Sequence, residues 1–157
     1  MKQILSAFSA FSVFLVLAVF SVTSAASAKL RPEIMGIALG MSRDDARAHL
    51  KSLGTMEKEA RKRQEVWAIK DARISHVLVG YDPDFRVRYV TAIARTGGPR
   101  MRYQEVADIK NAQRVNNHGN YKLTWEVAAQ PGQFAYVMIA HGRDPQYLDS
   151  YSIKKLN

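Results

Sequence analysis

The sequence predicts an α+β fold in which two tandem units, each a helix followed by three antiparallel strands, pack as one domain. Three observations support this prediction. An amphipathic helix with start and stop signals lies near the beginning of the chain, between residues 42 and 54. Runs with strand-like alternation follow it, separated by turns rich in proline and glycine. A second helix-like stretch then precedes another set of such runs, so the order of elements repeats.

Residues 1–28 have the features of a secretory signal peptide. Lys2 precedes an apolar run, and Ala26-Ser27-Ala28 fits the small-x-small pattern of a cleavage site. The run from 4 to 22 approaches the length that spans a bilayer, so an uncleaved anchor is the alternative. Serines interrupt that run, which favours cleavage. We expect cleavage after Ala28, a mature chain of residues 29–157 without a membrane span, and a periplasmic or secreted location.

The first predicted unit, residues 33–95, begins with the helix. Ser42 is placed as its N-cap, with Asp45 three residues later as in a capping box. Gly54 is placed as a left-handed C-terminal stop, and residues 55–64 form a polar, basic connector. The residues that share one apolar face of the helix are Ala46, Leu50 and Leu53.

Three strands complete this unit. In the first, Trp67 and Ile69 share a face; the other two flank the turn Asp82-Pro83-Asp84-Phe85 and predict a hairpin. The second strand of the hairpin alternates charged and apolar residues, which predicts one solvated and one buried face. The alternating residues are Arg86, Val87, Arg88 and Tyr89. The three strand-like runs cover residues 65–71, 74–82 and 86–95.

The second predicted unit, residues 101–157, follows a glycine- and proline-containing seam at 96–100. Its helix is predicted over 103–115, where Val106, Ile109 and Ala112 have helical spacing. Its strand-like runs cover residues 121–127, 134–142 and 147–155, with a turn at 130–133 before the second of them. In the first run Tyr121, Leu123, Trp125 and Val127 fall on one side.

The stretch from Ile37 to Gly54 resembles the helix start of the superfamily that includes the β-lactamase-inhibitor proteins and a small lipoprotein of the outer-membrane β-barrel assembly machinery. The residues that carry the resemblance are Gly40-Met41-Ser42, Ala46, Leu50 and Leu53-Gly54. The resemblance implies a helix packed on an antiparallel sheet that presents a face to other proteins. This chain has no cysteine for acylation or disulfides, and Thr55 follows Gly54, so no site residue of those families is carried over.

The sequence offers no pattern typical of an enzyme. Without cysteine there is no thiol nucleophile, disulfide or cysteine-ligated metal, and no serine lies in a Gly-x-Ser-x-Gly elbow. Asp82 and Asp84 are explained by turn chemistry rather than by calcium binding. The histidines lack metal-ligand spacing and are His49, His76, His118 and His141. We therefore expect no catalysis, no cofactor and no metal.

The strongest functional signal is the basic character of the chain, whose net charge is +9. Arginine favours bidentate contact with carboxylate or phosphate groups, although a merely solubilising surface is an alternative. The candidate partner-binding residues are Arg61, Lys62, Arg63, Arg86 and Arg88. They predict an exported, non-catalytic binding module of the bacterial envelope that recognises a protein or an anionic envelope component. Export argues against nucleic acid as the partner. A structural envelope protein and a cysteine-free hydrolase are the alternatives.

Overall fold

An eight-stranded antiparallel sheet runs through the protein, and a single eleven-residue helix packs on one of its faces. The structure is a computed structural model that describes residues 32–60, 63–107 and 109–156. The predicted signal peptide and its cleavage site therefore lie outside the described residues.

The elements are short and follow one another closely. The helices are α1 (Arg43–Leu53) and α2 (Tyr103–Val106), and a 3₁₀ turn covers Ile109–Asn111. The strands are β1 (Glu33–Ile34), β2 (Ile37–Ala38), β3 (Gly54–Ala60), β4 (Gln64–Ile69), β5 (Ile74–Tyr81), β6 (Val87–Ala94), β7 (Met101–Arg102), β8 (Gln113–Asn117), β9 (Asn120–Val127), β10 (Tyr136–Gly142), β11 (Tyr147–Leu148) and β12 (Ser150–Lys155).

Two antiparallel meanders make up the sheet, whose strand order is β3-β4-β5-β6-β12-β10-β9-β8. The meanders join through their last strands, with Val90 of β6 opposite Ile153 of β12. The short ladders β1–β2 and β7–β11 lie outside this sheet. The edges of the sheet are therefore β3 on one side and β8 on the other.

The two faces of the sheet differ in how they are covered. On the core face, Trp67 of β4, Trp125 of β9 and Met138 of β10 are buried with Ala46 and Leu50 of α1 in one hydrophobic cluster. On the opposite face, which we call the open face, no second layer of structure is described. Its central row is half-buried and consists of Val66, Leu78, Thr91, Ser152 and Ile139.

The predicted fold class, two helix-plus-three-strand units, is wrong. The fold is mostly β, with four strands in each meander, and within the described residues only α1 is a helix longer than four residues. The predicted connector over 55–64 is largely strand β3, and most of the predicted helix over 103–115 is replaced by α2, a 3₁₀ turn and β8. The helix over 103–115 was predicted wrongly because a hairpin turn follows it. His118 and Gly119 both have positive φ, and the two-residue turn that they form pairs β8 with β9.

Gly54 does not have the left-handed conformation predicted for it. Its φ is −175°, which is extended backbone, and it is the first residue of β3. A side chain at this position would overlap the carbonyl oxygen of Ala68 on the neighbouring strand. Glycine is therefore required by close backbone approach rather than by a helix stop.

Several local predictions are confirmed. The Ser42 hydroxyl accepts a hydrogen bond from the Asp45 N–H at 3.1 Å and donates to the Asp45 carboxylate at 2.6 Å. The β5–β6 hairpin forms as expected, and Trp67 is 1% exposed. Within that hairpin, however, a register shift between Gly80 and Tyr81 disturbs the predicted alternation. Val87 is buried, whereas Tyr89 lies on the open face against Gly80.

Candidate functional site

Basic and exposed apolar side chains meet at the end of the sheet where the β5–β6 hairpin turns. Three distant segments reach this end through backbone hydrogen bonds. The N–H of Arg43 donates to the carbonyl of Phe85 at 2.9 Å, and that of Leu156 donates to the carbonyl of Ala135 at 2.9 Å. The Gly40 N–H donates to the Val87 carbonyl at 2.8 Å. We call this surface the basic–aromatic end, and define it as Arg43, Phe85, Arg86, Arg88, Phe134, Lys155 and Leu156.

The β5–β6 turn presents Phe85 to solvent. One carboxylate oxygen of Asp82 accepts the N–H groups of Asp84 at 3.0 Å and of Arg86 at 2.9 Å, which fixes the turn. Phe85 has a φ of 56°, which is strained for a bulky side chain, and it is 42% exposed. Conformations of this kind cost on the order of 1–3 kcal/mol and persist where the surroundings enforce them. The fold thus holds an aromatic ring outward at some cost.

Each exposed aromatic ring at this end carries a cation on its face. The Arg43 guanidinium lies 4.2 Å from the centre of the Phe85 ring, and the Lys155 ammonium lies 3.9 Å from that of Phe134. Phe134 is 45% exposed and also packs against Gly40, where a larger side chain would collide with its ring. These contacts fix the positions of two cations beside apolar surface.

Some arginines of the chain are paired with carboxylates, whereas three cations of this end are not. Elsewhere four arginines form ion pairs, which join Arg47 to Glu59 and Glu65, Arg73 to Glu105, Arg100 to Asp144 and Arg143 to Asp149. Across the described residues, no carboxylate forms an ion pair with Arg43, Arg86 or Lys155. Asp45 and Asp82 lie nearby, but the Asp45 carboxylate accepts from the Ser42 hydroxyl, and the Asp82 carboxylate accepts backbone N–H groups of its own turn.

A shallow cavity of about 360 Å³ opens at this end between two basic side chains. Its lining residues are Asp82, Pro83, Arg88, Lys155 and Leu156. The lining therefore combines two cations and the Asp82 carboxylate with the apolar side chain of Leu156.

The structure places three of the five predicted site residues at or beside this end. Arg86 is exposed and Arg88 is half-buried. Arg63 is exposed, and its carbonyl accepts the Tyr81 N–H at 2.8 Å, so the β3–β4 turn lies next to the β5–β6 turn. Arg61 and Lys62 lie outside the described residues.

Sequence reasoning missed the apolar members of the surface and two of its cations. Phe85 could have been identified from the sequence, because a bulky aromatic residue at the tip of a proline-containing turn has no core to fill. The remaining missed residues are Arg43, Phe134, Lys155 and Leu156, which only the tertiary fold brings together.

A buried carboxylate fixes α1, and with it Arg43, against the sheet. Glu65 is 1% exposed and is the only buried charged residue of the described chain. It accepts hydrogen bonds from Arg47 Nε at 2.7 Å, Trp67 Nε1 at 3.0 Å and the Tyr81 hydroxyl at 3.0 Å. Burial, together with the negative charge of Glu65, raises the pKa of Tyr81 well above its ordinary value. This cluster faces the core, so its role is structural.

The histidines are dispersed. His49 Nε2 lies 2.9 Å from the Met35 carbonyl, and His76 Nε2 lies 3.3 Å from a carboxylate oxygen of Glu57. Burial, helped by the charge of Lys122, lowers the pKa of His141. Within the part of the chain that the structure describes, no three histidine, aspartate or glutamate side chains are grouped as metal ligands.

Comparison with known proteins gives no relative for this chain. No family model, no curated protein and no solved structure matches it. The resemblance of residues 37–54 to the helix-on-sheet superfamily therefore stays a prediction. Among the described residues, no helix is both long and apolar enough to cross a membrane.

Proposed function

We propose that this protein is an exported binding module of the bacterial envelope, without catalytic activity, and that its basic–aromatic end binds an acidic segment of a partner protein. Export rests on the predicted signal peptide at residues 1–28. The observation that carries the binding proposal is the grouping of three exposed apolar side chains with three cations that form no ion pair among the described residues. The apolar side chains are Phe85, Phe134 and Leu156, and the cations are Arg43, Arg86 and Lys155.

The composition of this surface favours a protein partner over a lipid surface. Arginine and aromatic residues are enriched in protein interfaces, where they form the anchors that contribute most binding energy, whereas lysine is depleted. Arg43 is already held against Phe85 by a cation–π contact, so little side-chain freedom is lost on binding. The cavity lined by Lys155 and Leu156 offers contacts for one acidic side chain of the partner.

The test is capture of an acidic envelope protein on the immobilised chain, followed by elution with stepped salt. The test variant is Arg86→Glu/Lys155→Glu. The control is Lys51→Glu/Lys70→Glu, which changes the net charge equally at the opposite end, where α1 and β4 finish. We expect the wild type and the control to retain one acidic protein to high salt and the test variant to lose it. Phe134→Ala should lower the salt concentration needed for elution, because the apolar contact is not screened.

Two outcomes would contradict the proposal. Equal loss of binding in the test and control variants would mean that net charge alone attracts the partner. Binding of the wild type to phosphatidylglycerol vesicles, together with no retained protein, would assign the surface to lipid instead.

A further inference from the structure

The two edges of the large sheet differ in their protection against pairing with other strands. The β3 edge has a register shift between Met56 and Lys58 and carries three successive charged residues, Glu57, Lys58 and Glu59. Irregular backbone and charge are two devices by which proteins prevent an edge strand from pairing with another chain. The β3 edge is therefore protected.

The β8 edge has neither device. All five of its residues, Gln113 to Asn117, are exposed, its pairing with β9 is regular, and Arg114 is its only charge. Val115 is 57% exposed, which is the largest value among the exposed large hydrophobic residues of the described chain. An open, regular edge with an apolar side chain at its centre is suited to strand addition.

The β8–β9 turn determines which backbone groups face outward. A two-residue loop, His118-Gly119, joins the strands, so the flanking pair Asn117 and Asn120 is a hydrogen-bonded pair. Alternation then directs the N–H and C=O groups of Arg114 and Asn116 away from β9. Within the described residues β9 is the only strand that pairs with β8, so these four groups lie at the edge of the sheet.

We propose that β8 pairs antiparallel with β8 of a second copy of this chain, with the two-fold axis at Val115. In this register Arg114 of each copy lies opposite Asn116 of the other, and the outward groups of both form hydrogen bonds. The two Val115 side chains meet in a non-hydrogen-bonded pair, where side chains approach most closely. Arg114 faces a neutral residue, so no like charges oppose each other.

The sequence of β8 fits a second copy better than an unrelated strand. A two-fold contact must be self-complementary, and Gln-Arg-Val-Asn-Asn has polar residues placed symmetrically about its central valine. The contact is short, so the dimer is weak and its population depends on concentration. This inference is independent of the proposed function, because β8 lies outside the basic–aromatic end.

Cysteine cross-linking tests the register directly, because the chain contains no cysteine. Val115→Cys should form a disulfide-linked dimer under mild oxidation, since the two sulfurs meet at the axis. Gln113→Cys is the matched control on the same strand: its equivalents would lie about 14 Å apart along the strands, at about 3.4 Å per residue. A mixture of Gln113→Cys and Asn117→Cys should cross-link, because those positions face each other across the axis.

A second measurement avoids cysteine. In sedimentation equilibrium at raised concentration, the wild type should show a monomer–dimer equilibrium, and Val115→Lys and Val115→Glu should each be monomeric. An equimolar mixture of the two variants should dimerise again, which also shows that both are folded. The inference is overturned if the wild type stays monomeric, or if Val115→Cys cross-links no faster than Gln113→Cys. Either result would be expected if the β8 edge paired only with a strand of another protein.

Discussion

Replacing Arg47 with methionine should destabilise the fold strongly, because Glu65 would then be buried without its cationic partner. Glu65 is 1% exposed and the Arg47 side chain is 26% exposed. Breaking a buried ion pair by removing one partner costs about 3–5 kcal/mol. Since Arg47 is partly solvated and two neutral donors remain on Glu65, we expect the lower end, about 3 kcal/mol.

Urea denaturation followed by tryptophan fluorescence measures this loss, because Trp67 donates directly to Glu65. With a slope of about 1.5 kcal/mol/M for a small protein, the midpoint should fall by about 2 M. The control is Arg143→Met, which removes an arginine from an exposed ion pair with Asp149 and should leave the midpoint unchanged. The double variant Arg47→Met/Glu65→Gln should recover most of the loss, since glutamine still accepts from Trp67.

The double variant separates lost charge from lost packing. The part of the loss that Glu65→Gln recovers is due to the unpaired buried charge, and the remainder is due to the lost packing of the Arg47 side chain. If Arg47→Met shifts the midpoint no more than Arg143→Met, the buried pair does not hold α1 to the sheet and the reasoning fails.

Three further predictions concern the core, a glycine and a histidine. Trp67→Ala should cost about 3–5 kcal/mol in chemical denaturation, because a fully buried indole is replaced by a cavity; a loss below 1 kcal/mol would contradict this. Gly54→Ala should lower Tm measured by circular dichroism, since its side chain would overlap the backbone of β4; an unchanged Tm would show that β3 can shift. Lys122→Gln should raise the pKa of His141 in an NMR titration. Because the folded-state pKa of His141 is lowered, its contribution to stability is present above its ordinary value of about 6.5 and is lost as pH falls below that value through the folded-state pKa. That loss should be smaller in Lys122→Gln, and an identical His141 titration in both proteins would exclude Lys122 as a cause.

The parts of the fold that were predictable are those with local signals. The β5–β6 hairpin combines apolar alternation with the Asp82-Pro83 turn, and Ser42 caps α1 through a contact within one turn. The edge strands β3 and β8 were not predictable from apolar periodicity, because they are largely polar or charged and gain stability from pairing with a neighbour. His118-Gly119, a two-residue loop, was the one local sign of β8.

The candidate site also contains some residues that local sequence patterns predict and others that they do not. Arg86 and Arg88 follow from charge and alternation, whereas Phe134 and Lys155 reach the same surface from the second meander, which no local pattern indicates. Glu65 could have been identified: it lies two residues before Trp67 in a strand, and alternation places a carboxylate on the face that an indole buries.

The central position of β12 has a consequence for how the chain folds. β12 follows every other strand of the described chain, yet it lies between β6 and β10. Both meanders therefore keep an open inner edge until Ser150–Lys155 is inserted, and the ladder that closes the sheet joins residues far apart in sequence. Closing such ladders is slow, and unpaired edges favour aggregation while they last. A chaperone that binds extended strands would therefore act on β6 and β10, and its protection would end when β12 pairs with both.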